Sequence, residues 1–150
     1  MAELGTVTRF RIKRLCAKGD RFAKQGKFKD AVARYESAWA LLPEPKEHWE
    51  AATWIHAAVA DALFLQGEYE QADERLRVAL VSECPGALGN PFLLLRRGQC
   101  AYELLRYDRA REELIGAYML EGSAIFESED SKYFEWLKTQ VEPPANGWGP

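Results

Sequence analysis

Eight positions recur at identical offsets three times along the chain, and this internal repeat constrains the fold more than any other feature. Gly19, Phe22, Gly26, Phe28, Ala31, Tyr35, Ala38 and Pro43 are matched by Ala60, Leu63, Gly67, Tyr69, Ala72, Leu76, Ala79 and Cys84. They are matched again by Gly98, Ala101, Leu105, Tyr107, Ala110, Leu114, Ala117 and Gly122. Small residues return where two helices must cross closely, and aromatic or leucine side chains return where the space has to be filled. A repeated unit of this length buries its apolar face only by stacking on its neighbours.

Each unit reads as a pair of helices. Over residues 10 to 25 the apolar residues Phe10, Ile12, Leu15, Cys16, Phe22 and Ala23 predict one stripe, ended by Gly26. The pattern resumes over residues 28 to 42 and stops at Pro43 and Pro45. Residues 49 to 66 and 69 to 81 form a second pair around Gly67, and residues 92 to 105 and 108 to 121 a third. Asn90 is placed to cap the fifth helix through its side-chain oxygen, with Pro91 at the first helical position, where a missing N–H costs nothing. Tyr133, Phe134, Trp136, Leu137 and Val141 mark a last short helix, for which Ser131 is the expected cap. The closing EPPANGWGP, rich in Pro and Gly, reads as a flexible tail.

The repeated series resembles the tetratricopeptide repeat, a 34-residue helix–turn–helix unit with a small residue in its first helix and an alanine in its second. The resemblance covers residues 12 to 122. Successive turn positions Gly26, Gly67 and Leu105 lie 41 and 38 residues apart, so this is a divergent form with longer helices or loops. The tryptophan position of the family's first helix holds Leu15, His56 and Leu94. The resemblance implies an all-α fold: three hairpins stacked as a short right-handed solenoid with a C-terminal capping helix. It places repeats at about 12–45, 53–86 and 91–122 and the cap at about 131–141, within a single domain 1–141 followed by a tail 142–150.

In the family a concave surface built from the first helices binds a peptide or another protein. Carried onto this chain, those positions include Trp54, Asp61, Phe64, Phe92, Arg96, Gln99 and Tyr102. Aromatic residues and arginine dominate such contacts because each buries large area or donates several hydrogen bonds. Arg97, beside them, is expected to lay its stem on the helix and keep its head in water. The acidic run Glu127, Glu129 and Asp130 favours the N-terminus of the last helix through its dipole, or alternatively meets a basic surface on a partner. Family members that clamp a C-terminal carboxylate use Lys and Asn in successive first helices. Here the corresponding positions hold Cys16, Asp20, Ala58 and Phe92, and only Arg96 fits.

Composition narrows the function classes. The chain has 150 residues, 47% hydrophobic, and a net charge of −3. Residues 1 to 46 hold 11 basic against 5 acidic side chains, and residues 47 to 150 hold 9 against 18. No apolar run approaches the roughly 18 to 20 residues that span a bilayer, and the N-terminus lacks the apolar core of a secretory signal, so a soluble, cytoplasmic protein without a membrane partner is expected. Three cysteines without CxxC spacing indicate neither a disulfide framework nor zinc. His48 and His56 have no carboxylate or cysteine pattern around them, and no phosphate loop or nucleophile elbow is present, so neither an enzyme nor a cofactor or metal is expected. The carboxylates at 127 to 130 repel phosphates and argue against nucleic acid.

The third repeat, NPFLLLRRGQCAYELLRYDRAREELIGAYMLEG, with the acidic segment and KYFEWLK that follow, is similar to small bacterial repeat proteins of polymorphic-toxin systems. That resemblance implies an immunity protein that binds and neutralises a cognate toxin through the groove and the acidic flank. Two other readings stay open: a secretion chaperone holding an extended client, and a structural scaffold or self-assembling subunit. The oligomeric state is left open by the sequence.

Overall fold

A computed structural model describes residues 3 to 149. Seven α-helices account for the described residues: α1 (Thr6–Lys24), α2 (Phe28–Ala40), α3 (Glu50–Leu65), α4 (Tyr69–Val81), α5 (Pro91–Glu103), α6 (Tyr107–Glu121) and α7 (Ser131–Gln140). Short 3-10 turns at Lys46–His48 and Gly122–Phe126 join them, and no strand occurs among the described residues. The fold is all-α, and the helices pair in sequence as α1 with α2, α3 with α4 and α5 with α6. Contacts gather into two compact units that divide between Leu88 and Gly89, so α1 to α4 form one unit and α5 to α7 the other.

In the first unit the stripe on α1 is narrower than its apolar residues suggest. Ile12, Cys16 and Gly19 are buried at spacings of four and three, whereas Phe10 is 64% exposed. Phe10 and Ile12 are two residues apart, which sets them roughly 200° apart around a helix of 3.6 residues per turn, so one core cannot receive both. Gly19 is the point of closest approach: a Cβ there would lie 2.5 Å from the Tyr35 ring of α2. α3 is buried on several sides because α2 and α4 both pack on it, which explains its near-continuous apolar sequence. Lys46 closes the end of α2, donating from Nζ to the carbonyls of Trp39 (3.1 Å) and Leu42 (2.6 Å), where a cation complements the helix dipole.

In the second unit Asn90 caps α5 as its position predicts. Its Oδ1 accepts from the backbone N–H groups of Phe92 (2.9 Å) and Leu93 (3.4 Å), and Pro91 opens the helix. Leu95, Leu114, Ala117, Phe126 and Leu137 form the buried centre, so the 3-10 turn and α7 belong to this core. The cap of α7 is Asp130, whose Oδ1 accepts from Lys132 N–H at 2.9 Å, and the expected cap Ser131 is instead the first helical residue. Within the segment expected to be loose, Trp148 stands edge-on to Tyr118 and Phe134, and its carbonyl accepts the Tyr118 hydroxyl at 2.8 Å.

The three hairpin turns share one hydrogen-bond pattern. Lys27 N–H donates to Phe22 O, Glu68 N–H to Leu63 O and Arg106 N–H to Ala101 O, at 2.8 to 2.9 Å. That pattern needs a left-handed residue just before the donor, which glycine supplies at Gly26 and Gly67, but Leu105 adopts it at φ 61°. A side chain in this conformation costs roughly 1–2 kcal/mol, partly offset by the roughly 0.5–1 kcal/mol of extra unfolded-state freedom that glycine brings. Leu105 is 70% exposed, so little packing is at stake. Leu105→Gly is expected to raise stability by about 0.5 kcal/mol in urea denaturation; a lower midpoint would mean that the side chain holds the turn in another way.

Candidate functional site

The residues expected to meet a partner fall in both units. On α3, Trp54 is 41% exposed and Asp61 partly exposed. Their separation of seven residues puts them on one face, with Leu65 a turn further on and 53% exposed. Phe64 points elsewhere: it is 8% exposed and stacks edge-on with Tyr69 of α4 at 5.4 Å, so it serves the hairpin's packing.

Asp20 of α1 is exposed and holds a buried side chain of α2. The buried Tyr35 hydroxyl donates to Asp20 Oδ1 at 2.6 Å. Burial, the hydrogen bond to Asp20 and the negative charges of Asp20 and Asp61 all push the Tyr35 pKa well above the usual phenol value. Asp20 is the carboxylate that holds the phenol directly, and Asp61 adds its negative charge to the same field. Cys16 sits in the same field, and burial followed by the charge of Asp20 pushes its thiol up to about 11. A thiol in that state is protonated at neutral pH and is a poor nucleophile. Cys84 is raised as well, chiefly by burial and then by Glu47.

His56, on another side of α3, stacks on Trp39 at a ring separation of 4.5 Å, and its Nδ1 accepts from Arg75 Nε at 2.7 Å. Arg75 in turn pairs with Glu36 at 2.7 Å. Burial first, and the Arg75 charge second, push His56 down to about 4, so it is a neutral packing histidine above that pH. No group of three or more His, Cys, Asp or Glu side chains converges among the described residues in a way that could hold a metal ion.

In the second unit the expected contact residues are largely engaged with their own chain. Arg96 is 5% exposed, and its Nη1 donates both to Glu129 Oε1 (2.9 Å) and to Gln99 Oε1 (2.8 Å). Gln99 is fully buried and its Nε2 donates to the same Glu129 oxygen at 2.9 Å. The three side chains close a triangle in which one carboxylate oxygen answers a guanidinium and an amide. Phe92 lies beneath the guanidinium, its ring 5.1 Å from Arg96 Cζ. Tyr102 is enclosed by Tyr133, Trp136 and Tyr107 at 5.3 to 5.9 Å, and Lys132 reaches Glu103 at 2.8 Å. Asp130 is spent on the α7 cap, which leaves Glu127 exposed at the surface. Arg97 does not keep its head in water: its guanidinium lies 3.7 Å from Glu113 and is only 13% exposed.

The Arg96 triangle was hidden from sequence reading because Glu129 lies 30 residues beyond Gln99. The one available signal was the coincidence of a buried-looking arginine with an acidic run ahead of an apolar helix.

The architecture is that of a tetratricopeptide-repeat domain. The chain is similar to the solved structure of the first such domain of human RPAP3 (18% identity, 86% of this chain and 88% of that one, TM-score 0.63). It is similar also to the first such domain of Spaghetti (RPAP3) bound to the HSP90 peptide SRMEEVD (18%, 86% and 89%, 0.65). A third solved relative in fold is the repeat domain of Arabidopsis OM64 (21%, 89% and 99%, 0.69). No protein-family model matches the chain, and no curated protein does.

Removing one partner of a buried ion pair strands the other, at a cost of roughly 3–5 kcal/mol, whereas replacing both by apolar residues is often close to neutral. Arg96→Leu is therefore expected to destabilise the second unit by about 3 kcal/mol, and adding Glu129→Leu to recover most of the loss. Urea titration followed by tryptophan fluorescence checks this. Purely additive losses would show that the two charges do not depend on each other.

Proposed function

We propose that this chain is a protein-binding module that acts through the first-helix face of its first unit. The observation that carries this reading is the face of α3 on which Asp61 lies between the exposed Trp54 and Leu65, with Asp20 of α1 holding the Tyr35 hydroxyl in the same unit. Two carboxylates next to exposed apolar side chains fit a partner that presents a lysine or arginine flanked by apolar residues. The Spaghetti domain that shares this fold is bound to a peptide with three carboxylate side chains. The face around Asp20 and Asp61 has the same sign as that peptide, so a different ligand chemistry is proposed here.

The finer reading is an immunity protein of the bacterial cytoplasm whose partner is a toxin domain with a basic surface. It rests on the resemblance, read from the sequence alone, of residues 90 to 138 to small repeat proteins of polymorphic-toxin systems. Glu127, exposed ahead of α7, belongs to the acidic excess of residues 47 to 150. The rival reading, a secretion chaperone, differs in its client: it would hold an extended segment, whereas an immunity protein covers a folded domain.

The test is purification of the tagged chain from its native cell, followed by calorimetric titration with the recovered partner and with Trp54→Ala and Asp61→Lys variants. A folded partner that loses binding by about tenfold or more in each variant is expected, a change of about 1.4 kcal/mol. Equal affinity in both variants would discard this face, and recovery of many unfolded exported clients would transfer the assignment to the chaperone.

A further inference from the structure

The second-helix side of the first unit carries an open groove that the proposed binding face does not use. Its volume is about 370 Å³, and α2, α3 and α4 line it. Val32, Val59, Leu63 and Val78 make an apolar floor. Glu36, Glu70 and Glu74 stand at its rim, with Arg75 as the one cation among the lining residues. The charge of Arg75 is already directed to Glu36 at 2.7 Å and its Nε to His56. Glu74 is bridged by Arg77 at 2.6 Å in an exposed pair, so the three carboxylates Glu36, Glu70 and Glu74 outnumber the two cations Arg75 and Arg77 and the rim keeps an acidic excess over an apolar base.

The complementary surface lies on the same chain. The N-terminal half of α1 exposes Val7 (71%) and Phe10 (64%) on the side away from the Ile12, Cys16 and Gly19 stripe that packs on α2. Residues three and four apart share a helix face, so Val7, Phe10, Lys13 and Arg14 form one apolar and basic strip, with Arg11 beside it. All three of these basic side chains are exposed. An isolated exposed phenylalanine needs no explanation, but an apolar pair framed by cations has a matching receptor here in the valine floor framed by carboxylates. The uneven charge along the chain, positive over residues 1 to 46 and negative beyond, would also steer such an encounter between copies.

From this match we infer that the groove receives the N-terminal half of α1 from a second copy of the chain, with Phe10 and Val7 on the floor and Arg11 and Arg14 against Glu70 and Glu74. The contact is heterologous: each copy offers one α1 strip and one groove. Association therefore continues head to tail into an open chain, or into a ring where the rotation closes. The attraction between exposed charges weakens as salt rises.

Sedimentation velocity on the full chain tests this, using the wild type, Phe10→Asp and the double variant Glu70→Lys with Glu74→Lys. All the changed residues are exposed, and circular dichroism checks that helix content is kept. The wild type is expected to grow in mass with concentration and to shrink at high salt. Each variant alone is expected to need about tenfold more protein, or more, for the same association. An equal mixture of the two variants is expected to give a one-to-one dimer and nothing larger, because the first keeps an intact groove and the second an intact α1. A wild type that stays monomeric at every concentration overturns the inference and leaves the groove to another partner. Variants that associate like the wild type, or whose mixture stays monomeric, overturn it as well.

Discussion

Close approach of paired helices is the constraint on which the rest of this structure depends. Two helices meet tightly only where one of them offers no side chain, and two hairpins meet that condition with glycine. At Gly19 the space of a Cβ is taken by the Tyr35 ring, and at Gly98 by the side chain of Leu114, 2.7 Å away. The middle hairpin has Ala60 and Leu76 at the corresponding repeat positions, and both are fully buried. A large residue answers the small one at Gly19 and Gly98, and closely packed interiors tolerate little change at such points.

Once α5 is drawn against α6, the side chains next to Gly98 inherit a dry environment, and two of them are polar. A buried guanidinium or amide without a partner would cost several kcal/mol, so the chain has to bring an acceptor to Arg96 and Gln99. Glu129 is that acceptor, and its delivery sets the course of residues 122 to 137. Phe126 and Leu137 then join Leu95 and Leu114 in the core, and Tyr102 is covered by Tyr133 and Trp136. The polar and aromatic side chains of α5 are thus largely taken up by the chain itself. The exposed first-helix chemistry that remains is on the first unit, around Asp20, Trp54 and Asp61.

The hairpins were legible in the sequence because their signals are local: fixed offsets of small and large residues, glycine at two turns, and Asn90 with Pro91 at one helix start. The misreadings share a physical cause as well. Phe10 was grouped with Ile12 by hydrophobicity although a helix turns them apart. Asp130 and Ser131 are adjacent, and which of them caps depends on backbone angles that composition does not encode. Arg96, Gln99 and Glu129 carry the clearest lesson. Their residue types suit partner recognition and internal pairing equally, and only a contact across 30 or more residues decides between them.

The proposed function follows from this division of labour: internal pairing engages Arg96 and Gln99 of α5, and recognition is assigned by the proposal to the face of α1 and α3. Its central claim is that residues 131 to 140 are built into the third hairpin and are not a loose appendage. Hydrogen–deuterium exchange of the isolated chain measures this directly, since amides in one cooperative unit open together. The account predicts that α7 exchanges as slowly as α5 and α6. Exchange in α7 as fast as in the turn over residues 83 to 89 would contradict it, and would return Arg96 and Gln99 to the set of residues open to a partner.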